Sequence, residues 1–336
     1  MDERLRTAML KLSLDPNECS FLKVPSRRGS KGNAVFLAFA PGQQKPSCVI
    51  KLARDDRASN ELDREANVLK ALEKIAFKHQ HIQNTIPRIV HYDVTSGVLV
   101  ETSLMGKKLR GEFGSIADLG SHNLTTLLGR VSCWLEEFHS IGLDMQESSA
   151  DMQCGSLLAK AVYEMEFEQV SHPKHLSSLL EKTLGSTQAP AVICHGDFNP
   201  YNILIADRQV SGVYDWEDWI VGSPLLDRFH LVTVMIGHLP YRDIHQFPSR
   251  VIRHLLSKNR CTLARNLVQD LVVASASRWK YDLEYINFYY AFYLYHMMEK
   301  EIRRADPDSM QMWKSLLDFC LGKLDQNPCE LIVDQF

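Results

Sequence analysis

The stretch "ICHGDFNPYNIL", Ile193 to Leu204, sets a histidine, an aspartate and an asparagine between two apolar runs. The flanks "AVI" and "ILI" read as short buried strands, and Pro200 keeps the loop from becoming helix. Buried polar groups need partners, so such a loop is either a turn that satisfies itself or a site. The rest of the chain decides between the two.

Within the loop, Asp197 and Asn202 lie five apart, with His195 two residues before the aspartate. Beyond it, "VYDWED" presents Asp215 at the end of an apolar β run. A strand-end carboxylate beside a loop with a second carboxylate and an amide suits a divalent cation and a transferring phosphate. Magnesium takes oxygen ligands from one or two carboxylates plus phosphates. A second carboxylate that the metal does not consume accepts the proton of an attacking hydroxyl. Taken alone, the H-x-D loop also fits a fragment of a metal-dependent hydrolase.

Kinase-type phosphoryl transfer needs three more parts: a lysine on a strand, a glutamate on a helix to hold it, and a glycine loop over the phosphates. All three occur upstream in that order. Lys51 ends the run "CVIK", and Glu65 follows fourteen residues later in "LDREANVL", on the polar side of a predicted helix. "RRGSKGNAVF" places Gly29 and Gly32 just before a strand, where bare backbone amides reach phosphate oxygens. Each part also has an ordinary reading: a solvated lysine, a surface glutamate, a hairpin turn, and a solvated rim for Arg27, Arg28 and Lys31. Their conjunction, in order and at spacings one bilobal fold explains, is the signal. No G-x-x-x-x-G-K-[ST] occurs, which excludes a P-loop.

Around these residues the chain changes texture once. An amphipathic start (Leu5, Met9, Leu12) gives way to "NAVFLAFA" and "SCVIKLA", an antiparallel pair about the turn "PGQQKP". Leu62, Ala66, Leu69, Leu72 and Ile75 recur at helical spacing, and "RIVHYD" and "GVLVET" read as two more strands. From "NLTTLLGRVSCWLEEFHSIG" onward helices dominate, the first with Asn123 as N-cap, then segments near 156–170 and 175–184, and nearly everything after Pro224. Strands interrupt only around the opening loop and at "QVSGVYDW". The expected division is 1–102 as a nucleotide-binding lobe and 103–336 as a catalytic and acceptor-binding lobe, with a hinge near 101–106.

The 336 residues are 45% hydrophobic and 24% charged with net charge −3, which offers no basic face for nucleic acid. The eight cysteines include no C-x-x-C pair, so a structural metal site is not expected and they read as core residues in a reducing compartment. The charged N-terminal stretch lacks a signal-peptide pattern, and the most apolar run, Tyr285 to Met298, is shorter than the ~20 residues that span a bilayer. A cytoplasmic location without a membrane partner is the expectation.

These motifs together resemble the aminoglycoside phosphotransferase and choline kinase-like family, small-molecule kinases of the protein-kinase-like fold. The likeness rests on "HGDFNPYN" (family pattern H-G-D-x-x-x-x-N), "GVYDWED", "GNAVF", "VIK" and "REANVL", in order from about Val24 to Arg228. It implies an α+β bilobal fold: a small antiparallel sheet with one main helix, then a larger, mostly α-helical lobe. It implies ATP and Mg²⁺ as cofactors and a small-molecule hydroxyl as acceptor. Asp197 becomes the catalytic base or hydroxyl-orienting residue, His195 a brace for the loop, and Asn202 and Asp215 the magnesium ligands. Lys51, paired with Glu65, holds the α- and β-phosphates beneath the Gly29–Gly32 turn, and the backbone of Glu101 and Ser103 meets adenine. Asp227, in "GSPLLD", supports the catalytic loop from a following helix.

The chain departs from protein kinases: H-G-D replaces H-R-D, Glu217 stands where their D-F-G glycine would be, and no A-P-E segment follows. Those differences argue against a protein substrate. Within the family's G-D-P element, Ser223 replaces the aspartate. The acceptor is expected against the C-terminal helices, where Tyr281, Tyr285, Phe288, Phe292 and Tyr295 form either a packing face or an aromatic wall, and where Asp218, Asp282 and Glu284 offer carboxylates. Aminoglycoside, choline-like alcohol, sugar and amino-acid alcohol all stay open. The alternative to an enzyme is a kinase-like scaffold without catalysis, which the complete polar set disfavours.

Overall fold

The computed structural model describes residues 2–12, 14–25, 32–76, 79–112, 122–144, 191–238, 245–256, 262–281 and 283–326. Gly29, Arg27, Arg28, Lys31, Asp282 and the helices expected near 156–170 and 175–184 lie outside them. The chain forms two units, Met1–Lys108 with Asn202–Trp219, and Leu109–Tyr201 with Ile220–Phe336.

The first unit is built on a five-stranded antiparallel sheet in the order β1-β2-β3-β5-β4. Its strands are β1 (Ser20–Val24), β2 (Asn33–Phe39), β3 (Cys48–Ala53), β4 (Ile89–Asp93) and β5 (Val98–Thr102). Period-two alternation decides what each face carries. Cys48, Ile50 and Leu52 of β3, with Val98 and Val100 of β5, pack against Leu5, Ala8 and Met9 of α1 (Glu3–Lys11). The opposite parity turns Ala53 and Leu99 toward Ala58, Leu62 and Ala66 of α2 (Asp56–Ala76). Lys51 shares that second parity, and β3–β5 register sets it opposite Leu99. Asp55 caps α2 by accepting the Ala58 amide at 2.7 Å. A short α3 (Gln80–Gln83) links α2 to β4.

A second, three-stranded sheet in this unit runs β6-β8-β9, from β6 (Lys107–Lys108), β8 (Ile203–Ala206) and β9 (Gln209–Val213). The β8–β9 turn is two residues long, and both Asp207 and Arg208 have positive φ, as a type I′ hairpin requires. Ile203 pairs with Val213, so Asn202 faces Tyr214 at the open end of the hairpin, with Asp215 the next residue.

The second unit is largely helical. It holds α4 (His122–Asp144), α5 (Leu225–Gly237), α6 (Phe247–His254), α7 (Thr262–Leu267), a π-helical turn (Val268–Val273), α8 (Ala274–Arg278), α9 (Ile286–Arg303) and α10 (Pro307–Gln326). One strand pair, β7 (Val192–Cys194) with β10 (Ile220–Gly222), carries the His195 loop. Leu124, Leu127, Leu128, Val131, Leu135 and Phe138 form the buried face of α4 as their spacing predicts. Asn123 falls inside the first turn of α4 and not at its cap position. The aromatic run of α9 packs nearly all round: Tyr289, Tyr290, Phe292, Tyr293 and Tyr295 are buried, while Tyr285 and Phe288 are half-buried. Among the described residues no helix is long and apolar enough to cross a membrane.

Candidate active site

In the first unit, three predicted residues meet at one ammonium. Lys51 Nζ lies 2.7 and 2.8 Å from the two carboxylate oxygens of Glu65, and 2.7 Å from Glu101 Oε1. All three side chains are buried. Burial alone would lower the affinity of Lys51 for its proton, but the charges of Glu101, Glu65 and Asp215 outweigh it and hold the ammonium well above its ordinary pKa. Burial pushes the Glu65 carboxyl up, against the pull of Lys51.

Two expectations change here. Glu65 is fully buried and not on a polar side of α2. It stands three residues after Leu62 and four before Leu69, on the stripe that faces the sheet, and the ammonium there compensates its charge. Glu101 engages through its side chain: it lies two residues from Leu99 on the same face of β5, which aims its carboxylate at Lys51. Its backbone sits in the sheet, opposite Val49 on one side and Ile89 on the other. Ser103, just past β5, is half-buried.

Asp215 adopts φ 73°, a left-handed conformation that a non-glycine residue holds only at a cost. That turn sends the next amide, Trp216 N–H, to Glu65 Oε1 at 2.9 Å, while Trp216 Nε1 donates to the Val213 carbonyl at 2.9 Å. The Tyr214 amide donates to the Asn202 carbonyl at 3.1 Å, which fastens the two hairpin ends. Asn202, which faces the residue before Asp215, and Asp215 thus offer an amide oxygen and a carboxylate at the same end of the hairpin. Both are hard oxygen donors, and with phosphate and water oxygens they fit Mg²⁺. Gly32, with φ 73°, precedes β2 and needs the freedom of a glycine.

In the second unit the His195 loop hangs from one fully buried carboxylate. Asp227, in the first turn of α5, accepts the amides of His195 and Gly196 at 2.9 Å each and faces His139 Nε2 at 3.1 Å. Burial would raise the Asp227 carboxyl, but His139, His195 and the backbone donors bring it below the ordinary value. Gly196 has φ 77°, so glycine at this position lets the loop reverse. His195 is buried, and its Nδ1 accepts the Asp197 amide at 3.2 Å, a brace on the loop. Ser223 accepts the Leu225 amide at 3.2 Å and donates to the Tyr281 hydroxyl at 2.7 Å, so the turn before α5 is held without an aspartate.

Asp197 is the least buried member of this group, its side chain 22% exposed. Its Oδ1 lies 2.8 Å from Lys300 Nζ on α9 and 3.1 Å from His230 Nε2 on α5, and its Oδ2 accepts Asn199 Nδ2 at 3.0 Å. A carboxylate only accepts, so His230 donates from Nε2, and its Nδ1 lies 3.0 Å from the Tyr293 hydroxyl. Burial would raise the Asp197 carboxyl, but Lys300, His230 and Arg304 hold it well below its ordinary value.

His139, Cys194 and Asp227 bring possible ligand atoms within 4.8 Å of one another. The trio reads as support for the loop, because Asp227 is engaged by backbone amides and the Cys194 thiol donates to the Ser223 carbonyl at 3.2 Å.

Residues 31–243 match the APH family, described as a phosphotransferase enzyme family. The chain belongs to this family. As a member it is a phosphotransferase. No curated protein matches the sequence significantly. Similar solved structures include APH(2")-IIia in complex with GDP and kanamycin, with TM-score 0.57 and 14% identity over 96% of this chain and 99% of that one. A thermostable mutant of the aminoglycoside phosphotransferase APH(4)-Ia, in apo form, aligns with TM-score 0.57 and 11% identity over 90% and 94%. Choline kinase LicA from Streptococcus pneumoniae aligns with TM-score 0.58 and 12% identity over 96% and 99%. These likenesses show the fold.

The phosphotransferase has site neighbours that its motifs do not announce. Lys300, His230 and Asn199 all touch Asp197, yet Lys300 and His230 come from helices far along the chain. A signal for Lys300 does exist. It stands seven residues after Tyr293 and three after Met297, on a stripe otherwise apolar and buried.

Proposed function

We propose that this phosphotransferase moves the γ-phosphoryl group of ATP, with Mg²⁺, to a hydroxyl of a small molecule such as an aminoglycoside, a choline-like alcohol, a sugar or an amino-acid alcohol. The observation that carries the reading is the buried Lys51–Glu65 ion pair, with Asn202 and Asp215 at the hairpin end of the same unit. Lys51 binds α- and β-phosphate oxygens, and Glu65 fixes the direction of the ammonium. Asn202 and Asp215 hold the metal, which when bound neutralises phosphate charge. The Gly32 turn lets backbone amides approach the phosphates. The neighbour solved with GDP supports a nucleotide donor.

Asp197 orients the acceptor hydroxyl through a charge-assisted hydrogen bond. The acceptor oxygen forms its bond to the γ-phosphorus as the bond from that phosphorus to the β–γ bridging oxygen breaks, and ADP leaves. The hydroxyl proton passes to the Asp197 carboxylate and then to solvent. A carboxylate of such low basicity takes that proton late, consistent with a loose transition state in which positioning and charge neutralisation dominate. Asp227 and His195 keep the loop in place and touch no proton in transit.

The test is ADP formation from MgATP, and from MgGTP in parallel, across aminoglycosides, choline-like alcohols, sugars and amino-acid alcohols, with Asp197→Ala alongside. Acceptor-dependent ADP release that vanishes in the variant is the expected result. Turnover retained by Asp197→Ala would remove that residue from the chemistry. Nucleotide binding without turnover on any acceptor would favour a scaffold.

A further inference from the structure

We propose that Lys300 is a positioning residue for the transfer: its ammonium locks Asp197 by one carboxylate oxygen and holds the carboxylate oriented toward the acceptor hydroxyl. The inference rests on Asp197 as the hydroxyl-orienting group.

Three observations carry it. First, Lys300 Nζ reaches Asp197 Oδ1 at 2.8 Å and the Gly196 carbonyl at 3.4 Å, so one side chain grips both the loop's glycine and its aspartate. Second, the Lys300 side chain is only 3% exposed, and a lysine is rarely buried so far unless its charge is compensated. Third, Lys300 occupies a helix position whose spacing from Tyr293 and Met297 calls for an apolar residue.

Groups from three elements face Asp197. Lys300 and Arg304 come from α9 and its C-terminal end, His230 from α5, and Asn199 and His195 from its own loop, with Tyr293 of α9 behind His230. Arg304 also meets Glu301 Oε1 at 3.5 Å, and that carboxylate offsets part of its charge. Lys300 is therefore the dominant cation on Asp197. His230 donates to the same oxygen from another helix and Asn199 donates to Oδ2, so both oxygens of the carboxylate are held. A carboxylate held this way accepts the acceptor's O–H in one geometry, which is where orientation acquires its effect on rate.

The experiment compares wild type, Lys300→Met and Lys300→Arg. Carbon-13 carboxyl NMR of aspartate-labelled protein, with the Asp197 signal assigned by Asp197→Asn, reads the titration midpoint directly. An opposite charge at this distance shifts a carboxylate by about one to three pH units. The midpoint is expected to rise by a unit or more in Lys300→Met and to return most of the way in Lys300→Arg. In turnover, kcat falls ~10- to 100-fold in Lys300→Met with KM for MgATP little changed, and the acid limb of kcat/KM moves up with the NMR midpoint. A midpoint and acid limb that stay put in Lys300→Met would reduce Lys300 to a packing residue and overturn the inference. Absence of turnover in the wild type would instead refute the kinase reading, and the NMR comparison would still decide whether Lys300 governs Asp197. If Lys300→Met does not fold, Lys300→Gln replaces it in both measurements.

Discussion

Replacing Glu101 with glutamine tests whether the buried charge cluster is as unbalanced as its geometry implies. One ammonium, Lys51, meets Glu65 and Glu101 at 2.7 Å each, and Asp215 acts on it as a third negative charge. Two carboxylates accepting from one tetrahedral ammonium stand about 4–5 Å apart, so at an effective dielectric constant of ~20 they repel by about 3–4 kcal/mol. Each gains about 6 kcal/mol from the ammonium at 2.7 Å on the same scale. The second carboxylate therefore adds only about 2–3 kcal/mol of net attraction, against a burial cost of several kcal/mol. Glu101 is the weaker partner. Its Oε2 is buried without a hydrogen bond, whereas Glu65 holds Lys51 with both oxygens and also accepts the Trp216 amide.

In Glu101→Gln the amide oxygen keeps the bond to Lys51 and the amide nitrogen replaces an oxygen that already lacks a partner. Stability should be unchanged or raised by ~1 kcal/mol. Lys51→Met, which leaves two buried carboxylates facing each other, should lose ~3–5 kcal/mol. Urea is the denaturant of choice, because it is uncharged and leaves ion pairs unscreened, and the midpoints are compared at constant slope. A loss of 2 kcal/mol or more in Glu101→Gln would refute the charge argument. The same variant should bind MgATP about three- to tenfold more tightly by calorimetry, since phosphates then approach Lys51 past one carboxylate fewer. Weaker binding would show that the phosphates do not meet Lys51.

The loop and its support make further predictions. Asp227→Asn orphans one of the two amides it holds, so stability should fall by ~1–3 kcal/mol and kcat by at least ~100-fold, with KM for MgATP nearly constant in steady-state assays. Gly196→Ala forces a side chain into left-handed backbone at a cost of ~1–2 kcal/mol, and stopped-flow nucleotide binding should survive it better than turnover. Asp197 and Asp227 both titrate below their ordinary value of 3.8 in the fold. Their stabilisation is fully present above that value and is lost as pH falls through the lower folded values. Glu65 is raised from 4.5 and works oppositely, its contribution being present below that value and lost as pH climbs through the folded one. Melting temperatures from pH 2 to 6 should fall toward acid, and Asp197→Asn should flatten that slope.

Much of this was legible in the chain because periodicity reports burial. The antiparallel pair read in "NAVFLAFA" and "SCVIKLA" is β2 with β3, and the helical stripe of α2 lies where Leu62, Ala66 and Leu69 put it. Elements without such a pattern were not legible. Strand β1, "SFLKV", is an edge strand with two of its five residues half-buried and none fully buried, and β6 is two exposed lysines that pair with Ile205 and Leu204. Their pairing depends on backbone groups that carry no residue-type signal.

Glu65, Glu101 and Lys300 form a third category. Each occupies a position where the period of its element calls for an apolar side chain: Glu65 between Leu62 and Leu69, Glu101 two from Leu99, Lys300 after Tyr293 and Met297. The anomaly is visible locally, but its resolution is not. The compensating charge arrives from fourteen residues away for Glu65 and from 103 for Lys300, and only the fold brings it there. An ionisable residue on an apolar period therefore has two outcomes. Either the element turns that face outward, or a counter-charge meets it inside, and in this phosphotransferase the second outcome occurs at all three positions, each beside a proposed reactive group.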